Sequence, residues 1–450
     1  MVPVWKQINP IFSVSRVSKK HIAHNWQYIF VCQSEATRVN NISIPEVLLM
    51  GKIMSVLLSI AIIISIVMVT IFSQDKKMGV DDFYPSIISA GDSVSMAIKS
   101  DNSLWAWGTN AYGQLTNKSD FYSLEPIRIM DDVISVDTGR NFSIALKSDG
   151  SLWAWGRLKQ FGLEGERQVP VKIMDGVRAA MTGSDDIAYI KADGSLWLWG
   201  ETINTIYFYL SLYEQIGEDY ISTLDEHDLR NYTEHKRKYD GISEWEPIKI
   251  MDDIAFASVS ESIYSGRVLA IKTDGTLWQW TSQSTINIFE LSDVAYVSFS
   301  GDLAMVVKND GSLWAWGKNY SVYVGNGSTE EVLTPVQIME DVAYVSIGAW
   351  HTLAVKTDGS LWAWGENEYG QLGNGKITTH EENNDSLIPI KIMDDVVYIS
   401  AGEHHSLAVK SDGSLWEWGD IFRDETFSRP MKVMDGIKMP VNLRHGRLNK

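Results

Sequence analysis

Over most of the chain, apolar and polar residues alternate in runs of about five, and the runs come in pairs. Ser406-Leu407-Ala408-Val409-Lys410 and Ser414-Leu415-Trp416-Glu417-Trp418 are two such runs, and Asp412-Gly413 lies between them. Two such runs around Asp-Gly predict an antiparallel hairpin, with a type I′ turn that needs positive φ at both central residues. Upstream, Pro389–Met393 and Val396–Ser400 read as two further short strands. The whole phrase recurs: Leu-Trp-x-Trp begins at Leu104, Leu152, Leu196, Leu277, Leu313, Leu361 and Leu415. The intervals are 48, 44, 81, 36, 48 and 54 residues. The longest is one repeat with an insertion, because a single Pro-x-x-Ile-Met phrase, Pro247–Met251, falls within it. Asp-Gly stands at the turn in six of the seven copies, and the first has Asp101-Asn102, which tolerates the same geometry.

Four antiparallel strands repeated seven times predict an all-β fold, a seven-bladed β-propeller of four-stranded blades. From Phe83 to Met439 there are 357 residues, or 51 per blade. Strand spacing alone leaves a β-solenoid open; the regular hairpins and the absence of a period of about 20–30 residues favour blades. The seven copies hold fourteen of the eighteen tryptophans. Period-2 alternation puts both indoles of Leu-Trp-x-Trp on one face of a strand and Leu plus x on the other, which suits blades packed on both faces. Repeat glycines such as Gly365 and Gly402 read as turn positions. The C-terminal stretch Pro430–Ile437 is expected to pair beside Ile87–Ala90 and so hide two edges.

The first 80 residues depart from this pattern. Ile53–Phe72 is twenty residues without a charge, about 30 Å as a helix at roughly 1.5 Å per residue, enough to cross a bilayer. Eight basic and three acidic side chains give residues 1–80 a net charge of +5, leaving −23 for the remainder of the total of −18. Six of the basic residues precede the apolar segment, and Lys76 and Lys77 follow it. By the positive-inside bias the N-terminus is cytoplasmic and the propeller lies outside. A cleaved signal peptide is the competing reading, with translation starting at Met50, but Ile71-Phe72-Ser73 is a poor cleavage site. The expected organisation is a basic segment 1–52, a transmembrane signal-anchor helix 53–72, a linker 73–82, the propeller 83–440 with an insertion at 201–246 in its third blade, and a tail 441–450.

Charge and cysteine content narrow the function. An acidic exported domain argues against nucleic acid as a partner, since phosphate binding relies on Lys and Arg. The single cysteine, Cys32, excludes an internal disulfide framework and thiolate metal clusters. The repeat resembles that of the regulator-of-chromosome-condensation family, whose phrase runs Gly-x-x-His-Ser/Thr, aliphatic strand, Asp-Gly, aliphatic-aromatic-x-Trp-Gly and then x-Asn-x-x-Gly-Gln-Leu-Gly. The residues that carry the resemblance are Gly348–Thr352, Gly402–Ser406, Trp364–Gly373 and Trp107–Leu115. It covers residues 83–440 and implies seven blades. The eukaryotic namesake exchanges guanine nucleotide on a small GTPase and binds chromatin, tasks that an exported acidic propeller does not suit. The Gly-Trp-Arg-His-Thr repeats of the family's plant photoreceptor have one near match here, at Gly348–Thr352. A secreted bacterial relative inhibits β-lactamases, and its setting is similar.

Catalytic motifs are missing from the sequence: there is no His-Glu-x-x-His, P-loop, dinucleotide fingerprint or nucleophile elbow. His404 and His405 are adjacent, so strand alternation aims their rings apart. No metal and no cofactor is expected. The acids after each Ile-Met strand (Asp131-Asp132, Asp175, Asp252-Asp253, Asp293, Glu340-Asp341, Asp394-Asp395 and Asp435) have two readings, a ring that attracts cations or a basic partner, and turn formers that bond their own backbone. The insertion is the strongest lead. Glu201–Glu246 spans 46 residues and carries Tyr207, Phe208, Tyr209, Tyr213, Tyr220, Tyr232, Tyr239 and Trp245. Ile206, Tyr209, Leu210 and Tyr213 fall at helical spacing, and aromatic residues on a protruding loop suit a protein interface. Trp350 and His351 form a second candidate patch. The expectation is a membrane-anchored, extracytoplasmic, non-catalytic module, monomeric as a propeller, that binds an unidentified protein, basic if the acidic ring matters. Guanine-nucleotide exchange by family resemblance and an inhibitor-like secreted propeller stand as alternatives.

Overall fold

The computed structural model describes residues 85–116, 121–163, 166–206, 236, 245–260, 267–281, 285–288, 291–318, 324–420 and 427–439. They form seven sheets, each of four strands in chain order. Every neighbouring pair within a blade is antiparallel. The fold is therefore the expected seven-bladed propeller. The first strands, Ile88–Ala90, Val133–Thr138, Val177–Thr182, Ile254–Val259, Val294–Ser300, Val342–Ile347 and Val396–Ala401, line a central funnel. The fourth strands, such as Tyr122–Met130, Ser386–Met393 and Phe427–Met434, end each sheet on the outside. Among the described residues no helix is long and apolar enough to cross a membrane. The segment 53–72 and the basic stretch before it lie outside the described residues.

The tryptophan pair does two different jobs. The second indole of each motif packs between blades, and Trp107, Trp155, Trp280, Trp364 and Trp418 are at most 1 % exposed. The first remains partly exposed at the turn end of its strand. Its N–H donates to the hydroxyl two residues earlier, as in Trp416 Nε1 to Ser414 Oγ at 2.9 Å, and that hydroxyl donates to Asp412 Oδ1. A lysine from the preceding strand lies over the same ring: Lys99 over Trp105, Lys191 over Trp197, Lys410 over Trp416. The Asp412 carboxyl is held below its usual range, first by the Ser414 hydroxyl and then by the Ser414 amide.

This Asp-x-Ser-x-Trp unit also corrects the turn type. Only the glycine has positive φ, as at Gly150, Gly359 and Gly413 with 80°, 84° and 80°. Gly150 N donates to Lys147 O and Lys147 N to Ser151 O. The loop is thus three residues, a type I turn followed by a left-handed glycine, rather than a two-residue type I′ turn. Asp149 spends its carboxylate on Ser151 N and Oγ, which fixes the aspartate in an ordinary φ.

The acids after the Ile-Met strands resolve as turn formers. The residue linking one blade to the next is left-handed: Asp132, Asp253, Asp293, Asp341 and Asp395 have φ of 60–66°, and Gly176 and Gly436 take the place in the other two links. The acid before it pairs with the base three residues earlier, as in Lys172–Asp175, Lys249–Asp252, Lys391–Asp394 and Lys432–Asp435 at 2.6–2.7 Å. These charges are compensated locally. A proline sits in most fourth strands, at Pro126, Pro170, Pro335, Pro389 and Pro430. Proline removes an N–H from an otherwise unpaired outer edge and blocks edge-to-edge pairing.

Ring closure differs from expectation. Phe427–Met434 pairs with Leu415–Gly419 inside its own blade, not beside Ile87–Ala90. The closing residues come just after it. Ile437 bridges Lys99, Lys438 N donates to Ile98 O, and Ser100 N donates to Gly436 O at 2.9 Å. In the second blade the same places are taken by Val133 opposite Lys147 and by Ser148 N on Asp132 O. Gly436–Lys438 therefore continues the short first strand Ile88–Ala90 end to end, and Ile437 is 2 % exposed in the core.

Candidate functional site

Strand direction sorts the loops. In a four-stranded meander the connections between strands one and two and between strands three and four share one face, and the Asp-Gly turns and blade links share the other. The loops at Gly91–Ser93, Gly139–Asn141, Gly183–Asp185, Gly301–Asp302, Gly348–Trp350 and Gly402–His404 therefore rim one mouth of the funnel, as do the ends of the insertion. The insertion and Trp350 are separate patches in the sequence; the topology places Trp350 and the described ends of the insertion on this face.

The Gly-x-x-His phrase that carried the resemblance is structural. A Cβ on Gly402 would lie 2.6 Å from Gly91 O and 2.8 Å from His405 Cε1, so only glycine lets the ring pack there. His405 Nε2 meets Ser95 Oγ of the first blade at 2.9 Å, and His351 Nε2 meets Ser406 Oγ of the seventh at 2.7 Å. Both histidines are fully buried, and burial, followed by nearby histidines, pushes each down to about 3. His351 thus pins two blades together and offers nothing to a docking partner, whereas its neighbour Trp350 is 38 % exposed.

The Gly-Gln-Leu loops explain a second pin. Asn367 Oδ1 accepts Leu372 N and Gln371 Oε1 accepts Tyr369 N, which turns Gln371 O toward the next blade to accept Trp418 Nε1 at 2.8 Å. Gln114 O receives Trp155 Nε1 in the same way. The last blade has no such loop, since Asp420–Arg429 lacks the motif. There the buried Glu417 substitutes, accepting Trp107 Nε1 at 2.9 and 3.0 Å and Ser95 Oγ at 2.6 Å. In the third blade the indole is held within its own blade, by the returning end of the insertion: Trp245 O accepts Trp199 Nε1 at 2.7 Å, and Trp245 takes a φ of 69°. Residues 201–206 are helical, with Ile203 and Ile206 buried and Asn204 Nδ2 on Gln160 O. Trp245 therefore anchors the insertion to the ring. Tyr207, Phe208, Tyr209, Tyr213, Tyr220, Tyr232 and Tyr239 lie outside the described residues.

Around the mouth, carboxylates gather. Asp92 is pushed up to about 7, first by burial and next by Glu403, with Asp185 adding and Arg140 opposing. The Arg140–Asp92 contact is long, 3.9 Å. The His404 ring lies against Tyr369 with centroids 4.1 Å apart, and His404 Nε2 is 3.7 Å from Glu403 Oε1. Glu366, Glu368 and Asp420 also bear on Tyr369. The mouth over the sixth, seventh and first blades is thus aromatic and acidic, with Trp350 on the adjoining loop.

Inside the funnel, one register position recurs around the ring: Ser89, Asp137, Met181, Ser258, Ser298, Ser346 and Ser400. Serines 258, 298, 346 and 400 accept the backbone N–H of Phe299, Ile347, Ala401 and Ala90 in the next blade at 2.9–3.1 Å. Asp137 does the same for Thr182 N at 2.9 Å, and accepts Ser89 Oγ and Thr138 N with its other oxygen. Burial pushes the Asp137 carboxyl up. Phe256, Tyr296, Tyr344 and Tyr398 form a ladder along the wall, centroids 4.4–4.9 Å apart, with phenol contacts of 2.7 and 3.0 Å. Sequence reading missed this ring, although a serine recurs at one offset from the Ile-Met phrase in several repeats.

The family model for the regulator of chromosome condensation (RCC1) repeat matches residues 310–355 and 358–409, and a second model of that repeat matches 86–114, 133–157 and 342–371. No curated protein matches the chain. Among solved structures, Prp20p from Saccharomyces cerevisiae, studied for its binding to Gsp1p and histones, superposes with a TM-score of 0.59 at 16 % identity over 80 % of this chain and 89 % of that one. Yeast RCC1 (Prp20) bound to Kap60 gives 0.58 at 15 % identity over 78 % and 85 %. The repeat matches support the family, and the two structures share the fold.

Proposed function

We propose that this chain is a non-catalytic protein-binding propeller, held at a membrane by residues 53–72 with the blades outside the cytoplasm, and that the mouth bearing Trp350 and the insertion receives a basic protein surface. The carrying observation is the acidic and aromatic character of that mouth, where Asp92 is raised to about 7 beside Glu403 and Asp185 while Arg140 stays 3.9 Å away. Carboxylates that repel one another gain from an incoming cation, and clustered negative charge speeds the approach of a basic partner. On the opposite face the acids Asp175 and Asp394 pair with Lys172 and Lys391. A non-enzymatic role is supported by the use of His351, His405, Ser95 and Glu417 as buried pins between blades. A protein partner is also in keeping with the yeast fold-mate, which is studied for binding to Gsp1p and histones.

The test is affinity capture from extract of the native organism with the full chain, a Trp350→Ala/Glu403→Gln variant, and a variant with 205–242 replaced by a short Gly-Ser loop. The expected result is a basic partner retained by the full chain, lost with the double substitution and released by rising salt. Equal retention by all three proteins, or a partner indifferent to salt, refutes this use of the mouth. Protease added to intact cells tests the placement separately: an external propeller is trimmed, a cytoplasmic one is not.

A further inference from the structure

We infer that the funnel is a binding site for a small uncharged polyol or monosaccharide, separate from the protein-binding mouth. The first strands of all seven blades line a partly open funnel of about 140 Å³. That is room for several waters, the scale of a small molecule rather than of a peptide segment. The chemistry follows from what the lining side chains have already spent. Ser258, Ser298, Ser346 and Ser400 each accept one backbone N–H from the next blade. A hydroxyl has one proton to donate as well as two lone pairs, and among the described residues none of these four protons has an acceptor. The backbone clasp fixes each oxygen, so an arc of preset O–H donors faces the funnel from the fourth to the seventh blade.

On the facing arc stands Asp137, the only carboxylate, lysine, arginine or histidine among the lining residues. It accepts hydrogen bonds from Ser89 Oγ, Thr138 N and Thr182 N, and the Thr182 hydroxyl bears on it as well, so its carboxylate is already satisfied by the protein. An anion would meet the serine donors but be repelled by Asp137, with no cation in the lining to offset it. A cation would suit Asp137 but leave the donors unused, and the tyrosine ladder turns ring faces toward one another at 4.4–4.8 Å rather than toward the cavity. A neutral molecule with several hydroxyls suits the funnel, since its hydroxyl oxygens accept from the serine arc and it brings no charge beside Asp137. Its C–H surface then lies along the apolar edges of Tyr296, Tyr344 and Phe256.

The experiment is saturation-transfer NMR with calorimetry on the full chain, using glycerol, erythritol, D-ribose and D-glucose, with choline and acetate as cationic and anionic probes. One or more of the neutral probes is expected to bind, with choline and acetate at least tenfold weaker. The variant Ser298→Thr/Ser346→Thr keeps both oxygens that accept Ile347 N and Ala401 N while adding two methyl groups to the cavity. It should unfold at the temperature of the parent and lose polyol binding at least tenfold. Asp137→Asn should weaken polyol binding less than the double threonine does. Absence of binding by every neutral probe means the funnel holds only water and overturns the inference, as does preferential binding of choline or acetate. Polyol binding that survives the double threonine places the site elsewhere and also overturns it. None of these outcomes depends on the partner capture above.

Discussion

Closing the ring with residues 436–438 rather than with a whole strand makes one side chain the test of the architecture. Ile437 is 2 % exposed, packed with the first-blade and seventh-blade core, and its N–H donates to Gly413 O at 3.0 Å. Ile437→Ala leaves the backbone bonds in place and deletes three carbons. At about 0.8 kcal/mol per buried carbon the transfer loss is about 2.4 kcal/mol. The cavity left at a site held by flanking hydrogen bonds adds to this, giving about 3 kcal/mol in total. The comparison is Met439→Ala, two residues on and 41 % exposed, for which about 0.5 kcal/mol or less is expected. Urea unfolding followed by tryptophan fluorescence reads both, because five indoles are at most 1 % exposed in the folded ring. Amide exchange supplies an internal control: Ser100 N on Gly436 O should exchange faster in Ile437→Ala, and Ser148 N on Asp132 O, its counterpart one blade on, should not. If Ile437→Ala matches Met439→Ala within 0.5 kcal/mol, or if Ser100 and Ser148 respond alike, the C-terminal residues are not what closes the ring.

Other consequences follow from the pins between blades. Glu417→Ala leaves Trp107 Nε1 and Ser95 Oγ without their buried acceptor and should cost about 2–4 kcal/mol, whereas Glu417→Gln, which keeps one acceptor, should cost about 1 kcal/mol; thermal unfolding separates them. The buried histidines set the acid limb of stability. With folded values of about 3 against 6.5 unfolded, His351 and His405 bind protons in the unfolded chain first, so their contribution is complete above pH 6.5 and is lost as pH falls toward 3. Asp186, raised to about 6 by burial, runs the other way, and its contribution falls as pH rises from about 4 to 6. Asp92, raised to about 7, runs with Asp186, so the parent's profile is a balance and the readout is the difference between variants: His351→Gln should lose less stability than the parent as pH falls from 6.5 toward 3. Gly365→Ala should be strongly destabilising, by more than about 2 kcal/mol, because φ is +113° and a Cβ would sit 2.6 Å from Trp350 O; Gly176→Ala, at φ +73° with nothing within 4 Å, should cost about 1 kcal/mol in the same unfolding assay.

Legibility varied with the distance over which each feature acts. The blade count and strand order follow from Leu-Trp-x-Trp and the alternation around it, because period 2 is a property of a single strand. The turn was harder. Asp-Gly signals a hairpin, but whether the loop has two residues or three depends on Asp149 bonding Ser151, a side-chain choice the dipeptide does not reveal. The carboxylates after Ile-Met read first as turn formers, with a cation ring as the alternative, and Asp132 and its counterparts are left-handed turn residues. His351 looked like a surface residue beside Trp350, yet strand alternation sends one outward and the other into the seam with Ser406.

The sequence by itself determined the repeat, the blade count and the strand alternation, since each is fixed by residues within one phrase of about 31 positions. Tertiary structure decided how the phrases meet. Glu417 replaces a missing Gly-Gln-Leu loop only because the seventh blade faces Trp107, 310 residues earlier in the chain. Ile437 closes the ring only because Lys99 waits at the other end of it. The same holds for the funnel, where serines on separate blades present their protons to one space. Periodicity records what each strand needs, whereas seams and a central cavity arise when distant strands must satisfy one another's buried polar groups.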